Sequence, residues 1–184
     1  MSINQKFLFY MSRFAEAYPI GHSKYAPGTM GSLIGVLIGY FLIFYLDIKF
    51  YLIFLIIFII ISYFLCEAHL KLYNSKDPKE VVVDEISGQL IAMLGCVQSD
   101  KPTYMFLSFL LSFILFRFFD ITKIGPIKRF ENLPNGIGIM ADDIVAGLFA
   151  LVTQAAILTS LNQNIYIKTL WLSLIHISEP TRPY

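Results

Sequence analysis

The strongest constraint on this chain is a set of long stretches with no charged residue. Residues 29–46, 50–66 and 144–161 run for 18, 17 and 18 residues without Asp, Glu, Lys or Arg. Residues 103–116 add 14, or 17 if Arg117 is bridged to Phe119. A helix needs roughly 17–25 residues to cross a hydrocarbon core of about 30 Å. The whole chain is 57% hydrophobic and 15% charged, with a mean hydropathy of +0.66. Soluble domains are about 45–50% apolar and about 25% charged. Disorder needs the opposite bias. A net charge of +1 argues against a nucleic-acid partner. Cys66 and Cys96 lie in apolar runs, so no disulfide framework or zinc pattern is present. The expected fold is all-α: a polytopic helical membrane protein.

A fifth apolar run, residues 86–97, has only 12 residues. Charge placement predicts that it crosses too. With five crossings, one side holds Lys6, Arg13, Lys24, Lys71, Lys76, Lys79, Arg117, Lys123, Lys128 and Arg129, and the other holds Lys49, Lys101 and Lys168. The positive-inside rule then puts the N-terminus in the cytoplasm. Without the fifth crossing the asymmetry collapses. The short run is expected to recruit Val81–Val83 and reach 17 residues, with Asp84 and Glu85 embedded near one end.

The N-terminal segment carries Ile3, Phe7, Tyr10, Phe14 and Tyr18 at steps of three or four, with Lys6, Arg13 and Glu16 off that face. An amphipathic helix lying in the membrane interface fits this pattern. Packing of the apolar face against the protein fits equally well. At the other end, residues 172–182 resemble the translation of a transposase-type sequencing adaptor. Residues 172–184 are therefore read as a non-native tail, and residues 1–171 as a single membrane domain. Different codons across residues 172–182 would end the adaptor reading.

The polar residues gather in four places. Gly28, Thr29, Gly31 and Ser32 open an apolar helix behind Pro27, where backbone N–H groups and hydroxyls could receive phosphate. An ordinary helix start explains this segment as well. Gly31, Gly35 and Gly39 form a small-residue stripe suited to helix packing. Asp84 and Glu85 sit at a membrane segment, where acids are costly and point to function. Arg117, Asp120 and Lys123 step by three along one helical face. Asp142 and Asp143 open the last span. His22 is a candidate base, although a lone histidine is more often structural. Singly, each cluster has an ordinary explanation as cap, dipole partner or surface ion pair. Together, five carboxylates at one membrane face would repel one another unless a hard divalent cation joined them, and oxygen donors suit Mg²⁺. Arg117, Lys123 and the helix start would add phosphate contacts. The implied chemistry is phosphoryl transfer or hydrolysis on a lipid headgroup.

These motifs carry a resemblance. Ala26-Pro27-Gly28-Thr29-Met30-Gly31-Ser32-Leu33, Asp84-Glu85-Ile86-Ser87-Gly88, Phe116-Arg117-Phe118-Phe119-Asp120-Ile121-Thr122-Lys123 and Gly138-Ile139-Met140-Ala141-Asp142-Asp143-Ile144-Val145-Ala146-Gly147 resemble the motifs of the phosphatidylglycerophosphatase A family, in order and in similar spacing. The resemblance covers roughly residues 15–165. It implies a multi-pass enzyme of the bacterial inner membrane with its active site on the cytoplasmic face. Such enzymes depend on Mg²⁺ and convert phosphatidylglycerophosphate in the bilayer to phosphatidylglycerol and phosphate. On this reading some of Glu85, Asp120, Asp142 and Asp143 supply metal ligands. Arg117 and Lys123 offset charge in the transition state. The nucleophile is either water, activated by the metal or by a carboxylate such as Asp84, or a carboxylate attacking directly. Two departures stand out. The family often has Lys-Pro-Trp-Pro-Ile where this chain has Lys123-Ile124-Gly125-Pro126-Ile127, and often Pro where it has Lys24. Two other functions remain open from the residues: a different lipid phosphomonoesterase, such as one acting on phosphatidate, and a small transporter using buried acids. The sequence leaves the oligomeric state open.

Overall fold

A computed structural model describes residues 3–24, 26–74, 78–96, 102–130 and 133–161. The adaptor-like tail lies outside the described residues. Every regular element among them is helical: α1 (Ile3–Ala15), α2 (Pro27–Tyr45), α3 (Ile48–Tyr73), α4 (Val83–Met93), α5 (Pro102–Thr122), α6 (Ile127–Phe130) and α7 (Asn135–Leu161), with a 3-10 turn at Ile20–His22. The all-α expectation therefore holds.

Four helices, α2, α3, α5 and α7, are long and apolar enough to cross a membrane. Their outer faces carry exposed Leu37, Ile53, Ile57, Ile60, Leu107, Ile114 and Val152, which a helix facing lipid requires. Local signals set their ends. Pro27 fills a first-turn position where its missing N–H costs nothing. Asp47 caps α3 by accepting from the Lys49 amide at 3.1 Å, and Asn74 closes it in the left-handed region at φ 50°.

The expected fifth long span is corrected. α4 has 11 residues and takes in only Val83 of the three valines. Val82 stays outside, with its amide donating to the Ala15 carbonyl at 3.0 Å. The physical reason is enclosure. Ten of the eleven residues of α4 are buried, packed by α2, α3, α5 and α7. A helix surrounded by protein need not match the thickness of lipid. Small residues permit this close fit. Gly35 and Gly39 of α2 face Gln89 and Met93, and a Cβ on Gly147 of α7 would collide with the Gly88 carbonyl.

The segment holding α4 still changes ends. α2 starts, α3 ends, α4 starts, α5 ends and α7 starts at one end of the bundle. Contacts there join Gly28 to Glu85, Arg117 to Ser32, Glu67 to Gly136 and Lys123 to Asp142. At the other end Gln154 Nε2 donates to the Ser108 carbonyl at 3.0 Å. A core of Leu42, Tyr51, Leu55, Ile86, Leu90 and Ile91 fills the space between, and the Tyr51 hydroxyl donates to the Leu90 carbonyl at 2.8 Å.

α1 packs on α3 through its polar side, burying Ser12 and Ala15. Ile3, Phe7, Tyr10, Phe14 and Tyr18 are all exposed. Of the two placements open from the sequence, the apolar face turns away from the protein.

Candidate active site

The shared end of the bundle opens into a cleft of about 1250 Å³. Asp84, Glu85, Asp120, Asp142 and Asp143 all line it, together with Lys123. The five acids come from three helices. Asp84 and Glu85 occupy the first turn of α4, and the Glu85 amide donates to Asp84 Oδ1 at 3.0 Å. Asp120 lies in the last turn of α5. Asp142 and Asp143 lie two turns into α7.

The acids divide into two groups. Asp120 accepts from Arg117 Nη1 at 2.5 Å, and Asp142 accepts from Lys123 Nζ at 2.8 Å. The ladder along one face of α5 therefore does not pair only within itself. Arg117 holds its helical neighbour, whereas Lys123 reaches across to α7. Lys123 can do so because it leaves the helix at a positive φ of 46°. The second group is Asp84, Glu85 and Asp143. One oxygen from each lies within 4.8 Å of the others. Two unit charges at that spacing repel by about 3 kcal/mol at an effective dielectric of about 20. Such a trio calls for a shared counter-charge.

Donor chemistry and unsatisfied atoms fit a divalent cation here. All three ligating groups are hard oxygens, which Mg²⁺ prefers. Glu85 Oε2 and Asp142 Oδ1 are buried and have no hydrogen-bond partner among the described residues. Arg117 Nε is a buried donor in the same condition. Unsatisfied carboxylate oxygens on two residues that line one cleft fit a place that takes a ligand. The resemblance gave some of Glu85, Asp120, Asp142 and Asp143 as ligands. The structure brings Asp84 together with Glu85 and Asp143, keeps Asp120 beside Asp143, and pairs Asp120 and Asp142 with cations.

The helix-start residues have separate surroundings. Gly28 lies against the carboxylate end of Glu85, which would have to move to admit a Cβ, and that Cβ would also stand 3.3 Å from Arg117 Nη1. The Ser32 hydroxyl donates to the Gly28 carbonyl at 2.8 Å and accepts from Arg117 at 3.3 Å. The Thr29 amide is already bonded to the Ala26 carbonyl. Gly31 packs against Val82, in line with the packing stripe of Gly35 and Gly39. Gly28 and Ser32 therefore adjoin the acids and Arg117, and Gly31 joins α2 to the entry of α4.

Two residues at this end were not singled out from the sequence. Glu67 of α3 accepts from the Gly136 amide at 2.8 Å, capping the start of α7 from another helix. Glu16, which the periodicity placed on a polar face, is buried against α3. Nothing in linear spacing reveals either partner. His22 sits beside Glu16, 2.8 Å from its Oε2, and away from the five acids. Cys66 and Cys96 are free and buried.

Comparison with known proteins identifies the family. A phosphatidylglycerophosphatase A family model matches residues 13–158. A phosphatidylglycerophosphatase A of Haemophilus influenzae is 38% identical over 133 residues, 72% of this chain and 78% of that protein. A phosphatidylglycerophosphatase A of Escherichia coli is 34% identical over 137 residues, 74% of this chain and 76% of that protein. A candidate phosphatidylinositol-3-phosphatase of Bacteroides thetaiotaomicron is 36% identical over 80 residues, 44% of this chain and 48% of that protein. No solved structure matches. The matched region contains all four polar motifs and the whole acid cleft, and the chain belongs to the phosphatidylglycerophosphatase A family.

Proposed function

We propose that this protein is a Mg²⁺-dependent phosphoric monoester hydrolase of the bacterial inner membrane. It would convert phosphatidylglycerophosphate to phosphatidylglycerol and inorganic phosphate at the cytoplasmic face. The observation that carries this reading is the convergence of Asp84, Glu85 and Asp143 beside Arg117 at one end of an apolar bundle. Family membership supplies the substrate. The basic residues gathered at the cleft end support the cytoplasmic orientation.

Asp84, Glu85 and Asp143 would hold Mg²⁺, with Asp120 and Asp142 adjoining. The ion supplies positive charge to the phosphoryl oxygens when bound. The remaining chemistry belongs to the chain. Acyl chains stay in the bilayer while the terminal phosphate enters the cleft. Arg117, beside Glu85 at the helix starts, supplies guanidinium charge to the phosphoryl group, and Asp120 fixes the orientation of its guanidinium. Lys123 lies where charge develops in the transition state and is held there by Asp142. Such prearranged groups are the main source of catalysis in phosphoryl transfer. A water oxygen attacks phosphorus, the bond from phosphorus to the glycerol oxygen breaks, a cleft carboxylate takes the proton of the water, and the departing glycerol oxygen gains a proton to become the hydroxyl of phosphatidylglycerol. Direct attack by a carboxylate, giving an aspartyl-phosphate that water then cleaves, is the other route.

The Bacteroides relative favours testing a second lipid phosphomonoester. Purified protein would be given short-chain phosphatidylglycerophosphate in competition with phosphatidate and phosphatidylinositol 3-phosphate. Preferential phosphate release from phosphatidylglycerophosphate is expected. Equal or greater release from either competitor would replace the substrate assignment.

A further inference from the structure

The mechanism uses nothing from α1, yet among the described residues the most fully enclosed acid outside the cleft lies just beyond its end. Glu16 is 1% exposed and has partners on every side. Its Oε1 accepts from the Ser12 hydroxyl at 3.0 Å and lies 3.5 Å from His69 Nδ1 on α3. Its Oε2 accepts from Arg13 Nη1 at 3.0 Å and lies 2.8 Å from His22 Nε2 on the 3-10 turn. Ser12 and His69 also meet directly, at 2.9 Å. A buried carboxylate persists only when its surroundings supply this many partners.

The same node grips the two chain segments that enter the active site. The Gly21 amide donates to the Glu16 carbonyl at 2.8 Å. Residues 21–26 then lead into α2, whose Gly28 meets Glu85. The Val82 amide donates to the Ala15 carbonyl at 3.0 Å, and the Val82 carbonyl accepts the first amide bond of α4, from Ile86 at 3.1 Å. Asp84 and Glu85 follow at once. The segments also touch each other behind the cleft, where Gly21 lies against the Glu80 carbonyl so closely that a Cβ has no room.

We infer that Glu16 is a positioning residue for the proposed reaction. Its buried carboxylate, by joining Ser12, Arg13, His22 and His69, fixes the relative placement of the helix starts that carry Gly28 and Glu85. The inference rests on the hydrolase reading for its kinetic consequence, while the geometric consequence stands apart from it.

The test compares Glu16→Ala, Glu16→Gln and Gly21→Ala with wild type in the full chain. Leu55→Ala serves as a destabilised control, since Leu55 lies in the apolar core. Misplacement of reacting groups by about 1 Å can cost roughly a hundredfold in rate. Glu16→Ala is expected to lower kcat by about ten- to a hundredfold while KM for phosphatidylglycerophosphate holds. Glu16→Gln, which keeps the shape and an acceptor for Ser12, should recover part of that loss. Leu55→Ala should lower Tm with kcat retained. Amide exchange gives a readout independent of activity: protection at Gly21 and Val82 should fall in Glu16→Ala and persist in Leu55→Ala. If Glu16→Ala does not fold, Gly21→Ala carries the test, because its added methyl pushes on the same junction. Wild-type kcat in the folded variants, or losses no larger than in Leu55→Ala with unchanged exchange, would overturn the inference. A wild-type protein that releases no phosphate would defeat the hydrolase reading instead, and the exchange result would still decide the role of Glu16.

Discussion

At the residue scale, the site is defined by how five acids share two cations. Arg117 and Lys123 pair with Asp120 and Asp142, while Asp84, Glu85 and Asp143 face one another with Asp120 beside Asp143. Removing one charge from that trio without changing its size should abolish turnover and leave the fold intact. Asp143→Asn or Glu85→Gln is expected to cut phosphate release by about a hundredfold or more, since electrostatic groups of this kind are worth about 10²–10³ in kcat. Unchanged melting with lost activity is the expected pair of readings. Arg117 should tolerate no substitute. Arg117 Nη1 serves both Asp120 and Ser32, and Lys keeps the charge without the planar guanidinium that holds this geometry. Arg117→Lys should therefore lose most activity, and near-wild-type turnover would show that only charge matters there. The motifs made all five acids and both cations legible in the sequence. The division among them was not legible, because Asp142 meets Lys123 across 19 residues of chain and a turn at positive φ. The burial of Glu16 is not legible in the sequence for a related reason. Helical periodicity says which residues share a face, and it does not say what covers that face.

At the element scale, α4 is the centre of the molecule and depends on glycine. Gly35 and Gly39 admit it from α2, and Gly147 admits it from α7, where the backbones nearly touch at Gly88. Gly147→Ala should push α4 and α7 apart. Overpacking of this sort costs about 1–3 kcal/mol, so a lower Tm in detergent is expected. Activity should fall as well, because Glu85 rides on α4 and Asp143 on α7. A variant as stable and as active as wild type would contradict this account of the interface. The run of apolar residues announced α4, and its spacing announced the stripe on α2. α4 is shorter than the roughly 17 residues a lipid-facing span would need, because its neighbours are other helices. α1 followed its periodicity, with the apolar stripe turned outward.

At the scale of the whole molecule, polarity is concentrated at one end of an apolar bundle. The four spans expose aliphatic and aromatic side chains along their lengths, and the cleft gathers the charges. Orientation can be read by labelling. Cys66 and Cys96 are buried, so background reaction with an impermeant maleimide should be low. In inner-membrane preparations of defined sidedness, Lys79→Cys at the cleft rim should react from the cytoplasmic side, and Lys49→Cys at the start of α3 from the opposite side. The reverse pattern would invert the topology. Residues 172–184 lie beyond the family match, which ends at residue 158. A chain ending at residue 171 should keep wild-type activity, and a loss would show that the tail belongs to the enzyme.

The central claim is that Asp84, Glu85 and Asp143 hold a divalent cation that hydrolysis of a lipid phosphate requires. The direct measurement is phosphate release from short-chain phosphatidylglycerophosphate by purified wild type and Asp143→Asn, with Mg²⁺ and with EDTA. The account predicts release by wild type with Mg²⁺ alone, and little from the variant in either condition. Release that survives EDTA, or an Asp143→Asn protein as active as wild type, would contradict it.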